Sequence, residues 1–475
     1  MTGDSIVKAR PAFPPIAGVL ACCALGVLIG VSPVWAAGGS LIAIVIVVVF
    51  RVPVAACYLL ALVFFLGDRL VGLALLPHAT IWVQDVVIGT LVLRVLISSA
   101  AIRRLTSPGV RTLNVALLCL FAVLLVSSLA NGLGFVATIV GLRYYMRLPL
   151  AFVCLLALGA NSSQFMRFLR VVVIVALLQV PLTVLQFVAA GGITGDSNSG
   201  SLNLQGGQEL LFISLTCAAF LIAIGVFGFL RLQWAVLLSA ALLLPPLLAG
   251  VRAVIVMAPI FLAATLVFAI SRSVRPERRA AVVWAAVLTV GLVMLVASSS
   301  QVSSALGQNW IASPETVFSY ENQSSAAGTG RIAALKFAYR DISTSSSTLT
   351  LGNGPGTTGQ SLLAYGRLRS DLAYDSNRSQ ITMSLLEVGV VGVAAMVMTL
   401  GVLILSVARA RQQASGLLLP LAAVVVPVIC LYGAMLAYFS VWVNPAASLT
   451  LWAFVAPLLA ESTRRSEVAT RSSRE

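Results

Sequence analysis

The chain alternates long apolar runs with short polar tracts, most of them basic, and only one polar interval is long. A helix that crosses a bilayer needs about 20 apolar residues, within a range of about 17–25. Runs of this kind are read at 15–35, 81–101, 112–130, 171–190, 208–230, 234–250, 253–270, 280–297, 379–407, 416–438 and 445–460. Shorter ones are read at 40–50, 53–67 and 148–160. The pattern predicts an all-α polytopic membrane protein of about twelve to fourteen transmembrane helices with one large, partly helical external loop. That loop, 298–378, separates amino-terminal helices (1–233) and a helical pair (234–297) from carboxy-terminal helices (379–462) and a basic tail (463–475). The small residues Ala36-Ala37-Gly38-Gly39 mimic a signal-peptide cleavage site, but the many spans that follow favour an uncleaved first helix. No internal repeat points to an inverted-repeat transporter.

Composition supports the membrane reading and changes what the charge means. Of 475 residues 60% are hydrophobic and 9% charged, against roughly 25% charged in soluble domains. A net charge of +15 would suggest nucleic acid in a soluble protein. Here the cations lie in tracts between apolar runs, the signature of cytoplasmic loops rather than of a nucleic-acid surface. With the amino end inside and about fourteen spans, Arg51, Arg103, Arg104, Arg111, Arg167, Arg170, Arg231, Arg409 and Arg411 all fall inside. So do the tract 272–279 and the tail 464–474, while the large loop falls outside. Cys22, Cys23, Cys57, Cys119, Cys154, Cys217 and Cys430 all sit in apolar runs without metal-ligand spacing, so neither a disulfide framework nor a metal site is expected.

The informative residues are those that break this pattern. Beyond the loop itself the cations on the outer side are mainly Arg143, Arg147 and Arg252. Arg252 tips the tight hairpin Gly250-Val251-Arg252-Ala253 and either snorkels to the interface or offers a fixed cation to an anionic group. Arg143 and Arg147 share one helical face beside Tyr144 and Tyr145, as an interfacial anchor or as anion ligands. Asp85 and Arg94 lie too far apart to pair in one straight helix, so each calls for a partner on another. The lone His78 has no assigned role.

The loop contains Glu321, Asp371 and Asp375 and the turn Gly328-Thr329-Gly330-Arg331, which opens an amphipathic helix over 330–340. The tract 343–348 reads as a linker. Beyond it Gly352, Gly354 and Gly356 mark a turn whose N–H groups suit an anion nest. Then come Ser376-Asn377 and, at the head of a span, Leu386-Glu387-Val388-Gly389-Val390-Val391-Gly392.

This ordered set, from the hairpin arginine to Gly392, resembles the O-antigen ligase and O-antigen polymerase (Wzy-like) family of bacterial glycan-assembly enzymes. The resemblance covers roughly 234–407 and is clearest over 328–392. It implies a GT-C-like, metal-independent membrane glycosyltransferase without cofactor at the outer face of the cytoplasmic membrane. Its donor would be an undecaprenyl-diphosphate-linked oligosaccharide, its acceptor a glycan hydroxyl. Membrane lipid, a flippase and a chain-length regulator would be its partners. Arg252 and Arg331 match the arginines that hold the carrier diphosphate, and Arg143 and Arg147 are further candidates. Ligase-type members carry a histidine where this chain has Ser376, so Asp375, beside Asn377, becomes the candidate base, with Glu321 and Asp371 behind it. That departure favours a polymerase over a ligase that transfers to lipid A core or protein; a lipid-glycan flippase is the alternative from another class. Glu387 is read as either site-supporting or structural.

Overall fold

The computed structural model describes residues 33–73, 75, 82–193, 198–202, 206–251, 253–270, 291, 324–325, 328–358 and 379–472. Helices α1 (Pro33–Arg51), α2 (Ala55–Gly72, with a π-helical turn at Val63–Gly67), α3 (Val83–Leu96) and α4 (Ser99–Leu105) come first. Helices α5 (Arg111–Ala130), α6 (Phe135–Ala157), α7 (Ser162–Ala189), α8 (Gly207–Val226), α9 (Leu232–Leu248) and α10 (Ala253–Ile270) follow. A two-residue antiparallel pair, β1 (Ser324–Ser325) and β2 (Gly328–Thr329), leads into α11 (Arg331–Ile342) and α12 (Ser346–Leu351). The chain closes with α13 (Gln380–Ala410), α14 (Leu418–Tyr438) and α15 (Pro445–Ser472). Among the described residues eight helices are long and apolar enough to cross a membrane, or nine if the pair α3–α4 counts as one span. The protein is an all-α polytopic membrane protein.

Burial sorts the spans. In its most apolar stretch, 94% of α15 and 89% of α8 are buried, against 28% of α7 and 39% of α5. The central helices therefore make the core, and the outer ones turn apolar faces such as Leu118, Leu129, Leu178 and Leu185 outward. Lipid tails are as apolar as leucine, so helices associate by close packing rather than by the hydrophobic effect. The core shows how: Phe220 meets Phe454 edge-on at 5.5 Å, Phe212 meets Tyr432 at 5.5 Å, and Phe152 stacks on Trp452 at 5.8 Å.

Several boundaries differ from the hydropathy reading. Helix α6 starts at Phe135, well before the expected 148–160, because the turn bearing Arg143 and Arg147 is helical and its charges find partners within the bundle. Helix α1 runs through Ala36–Gly39, so those small residues mark no break. The run at 81–101 is bent by 98° between α3 and α4, where Ser98 caps the second piece by accepting from Ala101 N–H. The tract 343–348 is no linker: Ser345 caps α12, accepting from Ser347 N–H. Helix α15 continues to Ser472, through most of the expected tail, held by Arg464 and Arg465 on Glu461 and by Arg104 on Glu467.

The bundle has two chemically different ends. At one lie Arg104 beside Ala157 O and Glu467, Ser162 against Glu461, and Arg167 and Arg170 near Leu417. At the other lie Asn131 against Gly352, Arg331 against Tyr438, Asp85 against Arg143, and Asn198 against Leu248. We call these the basic end and the loop end.

Candidate functional site

The loop end is organised around an opening in α13. Gly389 takes φ 65° and ψ −167°, a left-handed conformation that breaks the helical ladder and that glycine adopts without a steric penalty. A break of this kind leaves carbonyls without intrahelical donors, which inside a membrane must be satisfied by neighbouring protein. The segment from Gly352 to Thr358 does this. Asn353 N–H donates to Leu386 O at 2.8 Å and Gly354 N–H to Glu387 O at 2.7 Å, and the Asn353 amide adds a bond to Leu386 O at 3.2 Å. This strap is seated so closely that a Cβ on Gly352 would overlap the Glu387 backbone, one on Gly389 the Thr350 carbonyl, and one on Gly141 of α6 the Pro355 carbonyl. Helix α5 secures it from the side: Ser127 Oγ lies 2.6 Å from Leu351 O, and the Asn131 amide donates to Gly352 O at 3.1 Å.

Glu387 locks the strap from below. Its side chain is buried, Oε1 accepting from Thr358 N–H at 3.1 Å and Thr358 Oγ1 at 2.6 Å, and Oε2 from Tyr145 Oη at 2.8 Å. Glu387 thus hydrogen-bonds the strap and α6. The N–H groups of Asn353, Gly354 and Thr358, which an anion nest on the glycine turn would offer, are directed into α13.

The second feature is the connection between α14 and α15, on which two of the expected arginines converge. Arg331, the first residue of α11, donates from Nε to Tyr438 O at 2.7 Å and stacks over the Tyr438 ring at 4.1 Å. Gly330 is the N-cap that sets its helix in place. Arg147 donates to Val443 O at 2.6 Å and to Gln84 Oε1 at 3.1 Å. Gln380 braces the same connection: its N–H donates to Phe439 O at 3.2 Å, and its Oε1 accepts from Trp442 N–H at 3.1 Å. Arg143 goes elsewhere; the anion it meets is Asp85, 2.6 Å away, with Trp82 under its guanidinium at 4.9 Å. Asp85 thereby finds its partner on another helix, as does Arg94, which donates to the carbonyls of Val49 and Phe50 on α1.

Arg252, Glu321, Asp371, Asp375, Ser376, Asn377 and His78 lie outside the described residues. Among the described residues no three His, Cys, Asp or Glu side chains are grouped to hold a metal ion. From the sequence Tyr145 was noted only as a ring beside Arg143 and Arg147, and Thr358, Gln380, Trp442, Ser127 and Gly141 were given no role. Of these only Gly141 carried a local signal, a glycine within an apolar helix, where close backbone approach is the usual cause. Compared with known proteins, the chain matches no protein-family model and no curated protein.

Proposed function

We propose that the protein is a polysaccharide polymerase of the bacterial cytoplasmic membrane, moving a glycan from an undecaprenyl-diphosphate carrier to a hydroxyl of a second lipid-linked unit at the outer face. The observation that carries this reading is the strap. By seating Gly352–Thr358 in the opened α13, it ties the loop helix α11 to the bundle and sets Arg331 on the α14–α15 connection that also holds Arg147. Two guanidiniums on one short connection at the loop end suit a diphosphate, since this group forks onto phosphate oxygens and stays charged at any physiological pH. Among the described residues Arg104, Arg167 and Arg170 lie at the opposite end, which the positive-inside rule reads as the cytoplasmic one.

In this reaction the acceptor hydroxyl attacks the anomeric carbon and its proton passes to a carboxylate, for which Asp375 is the candidate. The bond from that carbon to the phosphate oxygen breaks, and the diphosphate leaves with the electron pair. Negative charge grows on the leaving group, and fixed cations stabilise it most in the transition state. Arg331 is assigned that role together with Arg252, the second arginine that the family resemblance points to. Arg143, paired with Asp85, positions α3 against α6 instead.

An opened span is also how transporters build ion sites. Here the exposed carbonyls of Leu386 and Glu387 are bonded by the strap, which favours the enzyme over a flippase. Membranes carrying Arg331→Ala should accumulate single repeat units on the carrier, with polymer formation down about 100-fold or more. Arg331→Lys, which keeps the charge but not the fork, should fall between. Polymer of normal length from Arg331→Ala overturns the reading, and transfer to lipid A core in place of polymer would identify a ligase.

A further inference from the structure

At the basic end a groove of about 380 Å³ opens between the start of α7 and the start of α14. We propose that it binds the phosphate headgroup of an anionic membrane phospholipid, with the acyl chains lying along the outer face of α7. The inference is independent of the polymerase reading.

Three observations converge on it. The first is chemical: the groove is lined by Met166, Leu417 and Leu418 together with Ser162, Ser163, Arg167 and Arg170, a mainly apolar surface that carries two guanidiniums. Ser163, Arg167 and Arg170 are spaced by four and three residues, so they stand on one face of α7. Both arginines are exposed, and among the described residues neither guanidinium has a carboxylate or carbonyl partner. Glu461, hydrogen-bonded to Ser162 at the groove edge, is already neutralised by Arg464 and Arg465.

The second is position. Helix α7 has 28 residues, ~42 Å at ~1.5 Å per residue, where the hydrocarbon core measures only ~30 Å. Its uncharged part, 171–189, is ~28 Å long and fills that core alone. Arg170 is the last charge before this stretch, so it and Arg167 stand at the headgroup boundary, where a lipid phosphate lies. The third is the outer face of α7 itself, where Ile174, Leu178, Leu182 and Leu185 are exposed and continue the apolar track from the groove. Leu417, 45% exposed, completes that track from the N-cap of α14. The groove's volume also falls within the roughly 300–1,000 Å³ of small-ligand sites.

The test is binding of defined lipids to the purified full chain in a non-ionic detergent, counted by native mass spectrometry. Dioleoyl phosphatidylglycerol should bind the wild type well above dioleoyl phosphatidylcholine. At about 1 kcal/mol for each arginine near an anionic lipid surface, Arg167→Gln/Arg170→Gln should bind phosphatidylglycerol about 30-fold more weakly. Arg103→Gln/Arg111→Gln removes the same charge from the same end and should change little. Equal losses in the two double variants, or no loss in the first, overturn the proposal. Millimolar glycerophosphate should fail to displace the lipid; full displacement would mark a soluble-phosphate site and also overturn it. Should the arginine variant not fold, Ser163→Trp fills the groove and keeps both cations. It must lose phosphatidylglycerol, and unchanged binding refutes the assignment.

Discussion

A carboxylate in an apolar span is tolerated only when donors surround it, because removing an ion from water costs several kcal/mol. Glu387 has three: the Tyr145 hydroxyl and the N–H and hydroxyl of Thr358. Glu387→Ala would remove the acceptor these buried groups share, at a cost of about 2–5 kcal/mol. The thermal midpoint of the purified protein in detergent should fall well below wild type, and Glu387→Gln, which keeps one acceptor oxygen, should fall less. A wild-type midpoint for Glu387→Ala would remove this side chain from the account of how the strap is held. The residue itself was legible in the sequence, as an acid at the head of an apolar run. Its partner Tyr145 was not, being 242 positions away in the chain, because local pattern carries no information on which helices meet. Asp85 and Arg94 were legible to the same degree: their spacing required partners on other helices without naming Arg143 or the α1 carbonyls.

The strap and α13 make one unit at the scale of elements, and glycines decide whether it closes. Hydropathy found α13 but passed over its break, because Gly389 does not interrupt the apolar run; only its backbone conformation does. The same averaging put the start of α6 too late, since two arginines depress a hydropathy window even where buried partners carry them into the helix. Two substitutions separate close approach from helix propensity. Gly141→Ala adds a methyl where the Pro355 backbone already lies, and should cost about 1–3 kcal/mol as strain. Gly401→Ala, in the same α13 that the strap closes but with nothing within 4 Å of its Cβ, should change stability by no more than about 0.5 kcal/mol. Limited proteolysis should cut Gly141→Ala faster than wild type within the strap and leave Gly401→Ala unchanged. Equal cutting in all three would mean that the strap does not depend on contact with α6.

The segregation of the two ends is a property of the whole molecule, and the sequence carried most of it, because alternating basic tracts count spans without requiring contacts. The described arginines at the basic end come from helices far apart in sequence, Arg104 on α4 and Arg167 on α7 among them, and the strap lies at the other end with Arg331 and Arg147. The proposed reaction needs the loop end to face one side of the membrane and the basic end the other, so the two ends must be separable by labelling. Ser346 and Ser415 are exposed, the first on α12 near the strap and the second in the connection before α14. In cells with a permeabilised outer envelope, a membrane-impermeant maleimide should label Ser346→Cys at once and Ser415→Cys only after the cytoplasmic membrane is broken. The parent protein is the background, since its native cysteines all lie in apolar runs. Labelling of both from one side would show that the ends do not face opposite compartments. The reverse order would turn Arg331 and Arg147 towards the cytoplasm, and so overturn the proposed outer-face diphosphate site.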